Sequence, residues 1–176
     1  GQDTLVAVDY ETNMKKPHSQ ASEIVTAGFA WEQGCFALES ARENDSLIRE
    51  ILQHPNCLKV AASMKMEVDW TYYYYGIDPP HWCWDTVLAA HILDHRRKVA
   101  NVKFQAFVRL GVEQYDAHIS SFLDSRKGGS YAENQIRKLN INDVLKYNAV
   151  DALVEYHLAL LQMDDLGFTL KEVKEL

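Results

Sequence analysis

Two short apolar runs constrain this chain most, because each leads directly into acidic residues. Leu5-Val6-Ala7-Val8 runs into Asp9 and Glu11, and Leu58-Lys59-Val60-Ala61-Ala62 is followed by Ser63-Met64-Lys65-Met66-Glu67. Short apolar runs bounded by polar segments read as buried strands. Asp9 and Glu11, two apart on an extended segment, project to the same face. They sit at the strand's C-terminal end, where open α/β sheets place ligands. A third acidic position comes from the long helical pattern that starts near Asn142 and runs to about Asp165, where Tyr147 and Asp151 lie one turn apart and meet on one side. Carboxylates gathered in this way repel one another unless cations sit between them. A two-metal hydrolase is therefore the first expectation, and hard oxygen donors suit Mg²⁺ or Mn²⁺.

Taken singly, each signal has a simpler explanation. Asp-x-Glu is also what a strand looks like as it runs out into a polar loop, and a Tyr–Asp pair on a helix is also a structural hydrogen bond. The helix around Asp151 nevertheless reads as largely buried, and a carboxylate there needs a partner or a cation.

The remaining pattern is that of a mixed α/β domain. Ile24 to Trp31 and Cys35 to Leu38 read as strands joined by a tight turn at Gln33-Gly34. Ser46 to His54 reads as a helix capped by Asn44 or Asp45 and followed by Pro55. Lys65 to Tyr75 is helical up to Gly76, Asp85 or Thr86 opens a helix through Leu93, and Val102 to Leu110 forms another that ends at Gly111. On the last helix, Leu145, Ala149, Leu153, Tyr156 and Leu160 are expected to mark the buried face, widened by Val150, Val154, Leu158 and Leu161. Ser120 to Leu139 is polar, contains Gly128-Gly129 and is expected to be a mobile connection. Strand, helix and strand in this order give a mixed sheet, and the 176 residues suit one domain, 1–176.

Composition narrows the classes. No apolar stretch approaches the roughly 18 residues that span a membrane, and no signal peptide opens the chain, so a cytoplasmic location, bacterial or in a phage-infected host, is expected. Cys35, Cys57 and Cys83 have no metal-ligand spacing and read as free thiols in a reducing compartment. The net charge of −7 argues against a broad duplex-binding surface but not against gripping a strand end. Arg96-Arg97-Lys98, Lys103, Arg109, Arg126-Lys127 and Arg137-Lys138 are either a solvated surface or a phosphate-tracking rim. In Trp70-Thr71-Tyr72-Tyr73-Tyr74-Tyr75, four consecutive tyrosines cannot share one helix face. Some must be core, and an exposed ring is free to stack on a base. Trp82 and Trp84 carry the same ambiguity.

In combination and order, the motifs resemble the DnaQ-like 3′→5′ exonucleases of the tyrosine-containing DEDDy branch, and most closely the proofreading domains of family A, phage-type DNA polymerases. The first motif is Val6-Ala7-Val8-Asp9-Tyr10-Glu11-Thr12, and the second is Ser63-Met64-Lys65-Met66-Glu67 against the family's Asn-x-Lys-aromatic-Asp. The third is Tyr147-Asn148-Ala149-Val150-Asp151 against Tyr-x-x-x-Asp. Asp85-Thr86-Val87-Leu88-Ala89-Ala90 and Val102-Lys103-Phe104-Gln105-Ala106 match the helices between them, so the resemblance runs from about Thr4 to Met163. The sister branch carries a histidine five residues before the last aspartate, and here that residue is Lys146.

This resemblance implies an RNase H-like mixed sheet of about five strands flanked by helices. It also implies a metal-dependent exonuclease that releases 5′-mononucleotides from the 3′ end of single-stranded DNA, in proofreading, in association with a polymerase domain or subunit. Two ions would be held mainly by Asp9, Glu11 and Asp151, with Asp9 bridging and Glu67 supporting the second. Tyr147 would orient the attacking water, since a phenol with a pKa near 10 stays protonated. Polar backbone groups around Thr12 and Asn13 would hold the terminal nucleotide, with Ser63 also at the substrate. Glu67 in place of Asp moves its carboxylate by about one bond length, and Ser63 in place of Asn puts one supporting hydrogen bond in doubt. Asp69 is the alternative to Glu67 but points elsewhere on a helix. The rival expectations are an RNase D-like exoribonuclease and a non-catalytic exonuclease-like binding module.

Overall fold

The computed structural model describes residues 2–124, 129 and 131–176. The expected Arg126-Lys127 rim and Gly128 lie outside the described residues. The chain forms a five-stranded mixed sheet flanked by helices, as the RNase H-like expectation requires. The strands are β1 (Thr4–Thr12), β2 (Ile24–Trp31), β3 (Gly34–Glu39), β4 (Cys57–Ala61) and β5 (Trp82–Asp85), in spatial order β3-β2-β1-β4-β5. The two hairpin pairs, β1 with β2 and β2 with β3, are antiparallel. β4 joins β1, and β5 joins β4, in parallel, reached through crossovers.

Alternation along β1 decides what the active face is made of. Val6, Val8 and Tyr10 enter the core beneath helices α1 (Asp45–Gln53) and α2 (Lys65–Trp70), packing with Ile48, Leu52 and Trp70. Leu5 and Ala7 face the long helix α6 (Ile141–Leu166), packing with Ala152, Tyr156 and Ala159. Asp9 and Glu11 continue this second series, so the strand's period of two delivers both carboxylates to the α6 side.

The buried stripe of α6 departs from the apolar reading. Leu160 is exposed and Leu145, Ala149 and Leu153 are only half-buried, whereas Asn148, Glu155 and Gln162 are fully or almost fully buried. These three polar residues lie seven apart and bond to successive strands. Asn148 donates to Asp9 on β1, Glu155 accepts from the Ala62 amide just past β4, and Gln162 accepts from the Trp84 indole of β5 while donating to the Thr86 carbonyl. This polar spine runs alongside the buried Val154, Tyr156 and Leu158 of the expected stripe.

Several other elements differ from expectation. Trp82–Asp85 is a strand, too short and too aromatic to show alternation, and it supplies the fifth member of the sheet. Asp85 then caps α3 (Thr86–Leu93), accepting from the Val87 and Leu88 amides. The Lys65–Tyr75 helix changes at Thr71 into a wider π-type turn through Tyr75, and a second helix, α4 (Val102–Gln105), widens likewise over Ala106–Leu110. Both wide turns stop at a glycine in the left-handed conformation, Gly76 (φ 64°) and Gly111 (φ 67°). The widening places Tyr75 in the core and leaves Tyr72, Tyr73 and Tyr74 exposed. Asn44 precedes α1 without capping it, because its amide donates to the Glu39 carbonyl instead. Within the expected polar connection, α5 (Ser120–Leu123) and a turn at Ile136–Lys138 form, anchored by the buried Ile119 and Ile136. A last helix, α7 (Leu170–Lys174), is started by a capping box between Thr169 and Glu172. Among the described residues, no helix is long and apolar enough to cross a membrane.

Candidate active site and metal centre

The structure brings together Asp9 and Glu11 from β1 and Asp151 from α6, with one oxygen of each within 4.8 Å of the others. The approach of the helix depends on Gly28, which pairs with Asp9 across β1 and β2. A Cβ at Gly28 would meet the Asn148 carbonyl oxygen at 2.7 Å. With no side chain there, Asn148 donates to the Asp9 carboxylate (2.6 Å) and to its carbonyl (3.1 Å), clamping the acidic strand to the helix that carries Tyr147 and Asp151.

Two further carboxylates lie behind this trio. Glu67, in the first turn of α2, is 3% exposed, and its Oε2 has no hydrogen-bond partner among the described residues. It stands outside the trio, yet near enough that Asp9 and Asp85 oppose its ionisation. The alternative, Asp69, is turned away and paired with Lys65 at 2.8 Å. Glu155, one helical turn beyond Asp151, is also 3% exposed and feels Asp9, Glu67 and Asp151.

So dense a cluster shifts its own protonation. Burial first, then the neighbouring Asp151 charge, pushes the Asp9 carboxyl up to about 7, with Lys103 and the Asn148 hydrogen bond working the other way. Burial and then Asp9 hold Glu11 well above the usual carboxylate range, and the same two causes raise Glu67 and Glu155. The groups are hard oxygen donors, buried or, for Asp9, half-buried, and mutually repelling, and one Glu67 oxygen is without a partner among the described residues. A small divalent cation satisfies each of these conditions, so the residues present fit Mg²⁺ or Mn²⁺.

Among the described residues, one protein cation, Lys103, reaches the cluster. Lys103 of α4 pairs with Asp151 Oδ1, bonds the Tyr115 hydroxyl at 2.7 Å, and lies over the Tyr115 and Tyr147 rings, 4.2 and 4.7 Å from their centroids. The Tyr115 hydroxyl donates to the same Asp151 oxygen. Tyr147 is buried, and burial together with Asp151 and Glu11 holds its phenol far above the usual range, so the hydroxyl keeps its proton.

The expected substrate residues have different surroundings. Thr12 lines a cavity of about 230 Å³ beside Glu11, although its hydroxyl donates to the Met14 carbonyl at 2.7 Å. Asn13 is committed to its loop: its amide donates to Ala21 and its side-chain oxygen accepts from Glu23. Ser63 is exposed beside a larger cavity and adopts a left-handed φ of 55°, a conformation that asparagine adopts far more readily. The Ser63 and Met64 amides are held by the Asp85 carboxylate at 3.2 and 2.9 Å.

Sequence reasoning missed Gly28, Asn148, Glu155, Tyr115 and the placement of Lys103. The seven-residue recurrence of Asn148, Glu155 and Gln162 was a usable signal for the buried polar stripe. Nothing local marks Lys103 or Tyr115, which reach Asp151 from 48 and 36 residues away.

A family model described as 3′–5′ exonuclease matches residues 2–162. No curated protein sequence matches the chain. Among solved structures, the fold is similar to Brucella melitensis NrnC with bound Mg²⁺, at a TM-score of 0.68 and 16% identity, covering 99% of this chain and 80% of that one. It is also similar to Escherichia coli RNase D, an exoribonuclease involved in structured RNA processing, at a TM-score of 0.65 and 14% identity over 98% and 43% of the two chains. A third likeness is to the polymerase domain of Pol1 from M. smegmatis in complex with DNA primer-template and dNTP, at a TM-score of 0.62 and 14% identity over 95% and 24%. These identities bear on fold, whereas the family match covers nearly the whole sequence: the chain belongs to the 3′–5′ exonuclease family.

Proposed function

We propose that this single domain removes 5′-mononucleotides from the 3′ end of single-stranded DNA, as a DEDDy-type, two-metal proofreading exonuclease working in the cytoplasm with a polymerase domain or subunit. The observation that carries the reading is the convergence of Asp9, Glu11 and Asp151 oxygens within 4.8 Å, with Tyr147 one turn from Asp151.

Asp9, Glu11 and Asp151 would hold two divalent ions, Mg²⁺ or Mn²⁺, with Glu67 completing the second site from behind. Ions bound there would supply the charge that lowers the pKa of a water and stabilises the leaving 3′ oxygen. The chain's own residues do the rest. Asn148 fixes the Asp9 carboxylate by donating to one of its oxygens. Tyr147 keeps its proton and so acts by hydrogen bonding, orienting the water rather than deprotonating it. Lys103 and Tyr115 hold Asp151 Oδ1 in a fixed orientation. Thr12 lines the cavity beside Glu11, at the place of the terminal nucleotide.

The test is a time course on 5′-labelled single-stranded and mismatched duplex DNA with Mg²⁺ or Mn²⁺. A ladder shortening from the 3′ end is expected, abolished by EDTA and by Asp9→Ala or Asp151→Ala, with a smaller loss for Tyr147→Phe. Full activity in EDTA, or shortening from the 5′ end, refutes the reading. A second reading, an exoribonuclease, is favoured by the likeness to RNase D and to NrnC, another of whose structures is bound to pGG. Matched RNA and DNA oligonucleotides in the same assay separate the two.

A further inference from the structure

A second cavity at the acidic end of the sheet lies outside the carboxylate cluster. It has a volume of about 650 Å³ and is bounded by the loop after β1 on one side and by α2 and its wide turn on the other. Three lysines line it, Lys15, Lys16 and Lys65, against one carboxylate, Asp69, which Lys65 already neutralises. Lys15 and Lys16 are exposed and have no ion-pair partner among the described residues, in a chain whose net charge is −7. At the cavity wall, Tyr73 is 54% exposed, and the His18 ring meets it edge-on at 4.3 Å, so two rings from two segments form one aromatic surface. Lys15 and Met66 also line the smaller cavity beside Glu11 and Thr12, which makes the two cavities neighbours across a shared wall.

A basic, open groove with an exposed aromatic ring is the arrangement that binds a single strand without reading its sequence: lysines follow the phosphates and the ring stacks on a base. The wall it shares with the cavity beside Glu11 sets that end of the groove next to the acidic site. We infer that the Lys15, Lys16 and Tyr73 groove binds the part of a single-stranded nucleic acid that lies upstream of the 3′-terminal nucleotide. The enzyme is thereby a processor of strands several nucleotides long rather than of dinucleotides. This inference rests on the exonuclease reading above.

The test is fluorescence anisotropy with 5′-labelled oligo(dT) of two, four and eight nucleotides in EDTA, where no cleavage interferes. Affinity should strengthen at least tenfold from two to eight nucleotides. Tyr73→Ala should weaken the octanucleotide by roughly tenfold, and Tyr73→Trp should restore it. Lys15→Glu with Lys16→Glu should weaken it further and flatten its salt dependence. All three residues are exposed, and circular dichroism checks that each variant folds. Equal affinity for two and eight nucleotides overturns the inference, as does an octanucleotide affinity unchanged in both variants. Either result, with a normal 3′-end ladder on DNA, removes the groove and leaves the exonuclease reading standing. Loss of the ladder removes the reading itself.

Discussion

The Lys103 ammonium is bound to the Asp151 oxygen that also takes the Tyr115 hydroxyl, and it lies over the Tyr115 and Tyr147 rings. A fixed positive charge thus occupies the approach to one of the three converging carboxylates. Buried carboxylates favour any cation, so an ammonium and a divalent ion compete for the same electrostatic position.

Removing that ammonium should therefore strengthen metal binding while impairing the reaction. Lys103→Met is expected to lower the half-saturating Mg²⁺ concentration by roughly tenfold, equivalent to about 1.4 kcal/mol, as measured by calorimetry. Turnover should fall because Asp151 and Tyr147 lose the group that orders them. Lys103→Arg should restore both values most of the way. Metal affinity that weakens or does not move in Lys103→Met contradicts this account.

Protonation of the carboxylates gives the protein a pH signature. A carboxyl held higher in the folded state than in the unfolded one contributes stability at low pH, and loses it as pH rises through the folded value. For Asp9 this contribution is complete below 3.8 and is lost on passing about 7; Glu11, Glu67 and Glu155 act in the same direction. In EDTA, the melting temperature should therefore decline between about pH 4 and pH 8 more steeply than the exposed charges account for. Saturating Mg²⁺ should flatten that decline, and its binding near neutral pH should release protons, seen as a buffer-dependent heat. A melting temperature that rises across this range in EDTA would contradict the burial of these acids.

The sequence exposed the parts of this design that are local. Leu5 to Val8 and Ile24 to Trp31 carry enough contiguous apolar residues to be read as strands, and the alternation along β1 places Asp9 and Glu11 on one face without any tertiary information. The one-turn spacing of Tyr147 and Asp151 is equally local. What stayed hidden depends on contacts between distant elements. Trp82–Asp85 is a strand because β4 offers it a parallel edge, and four residues are too few to show a period. On α6, Val154, Tyr156 and Leu158 are buried as their spacing implies, but Asn148, Glu155 and Gln162 are polar, and their burial makes sense only once the Asp9 carboxylate, the Ala62 amide and the Trp84 indole are in place opposite them.

Glu155 separates structural acids from ligands in this cluster. It is buried, its carboxyl is raised, and the Ala62 amide donates to its Oε2 at 3.2 Å. An amide side chain of the same shape preserves that acceptor and removes a charge the cluster opposes. Glu155→Gln should thus keep nuclease activity within a few-fold and leave stability equal or higher. Glu155→Ala leaves the Ala62 amide without its acceptor and should cost about 1–3 kcal/mol in urea denaturation. Asp151→Asn, an equally conservative change one turn away, should abolish activity. An inactive Glu155→Gln enzyme with wild-type stability would instead make Glu155 a fifth member of the metal-holding set.

Gly28 is the position where fold and chemistry are least separable. It faces α6 directly opposite Asp9, and an added Cβ would meet the Asn148 carbonyl oxygen at 2.7 Å and its amide nitrogen at 2.9 Å. The side chain can turn away, but the carbonyl belongs to the helix and moves only if α6 moves. Gly28→Ala should therefore cost about 1–3 kcal/mol, as overpacking does, and should lift the helix locally from β1. That displacement loosens the Asn148 clamp on Asp9 and widens the gap between Asp9 and Asp151, so kcat and metal affinity should fall together. Pairing the change with Asn148→Ala removes the amide contact and leaves the carbonyl, so the double variant should recover neither property. Recovery of both would show that the Asn148 side chain alone, and not the close approach of the helix, is what Gly28 protects.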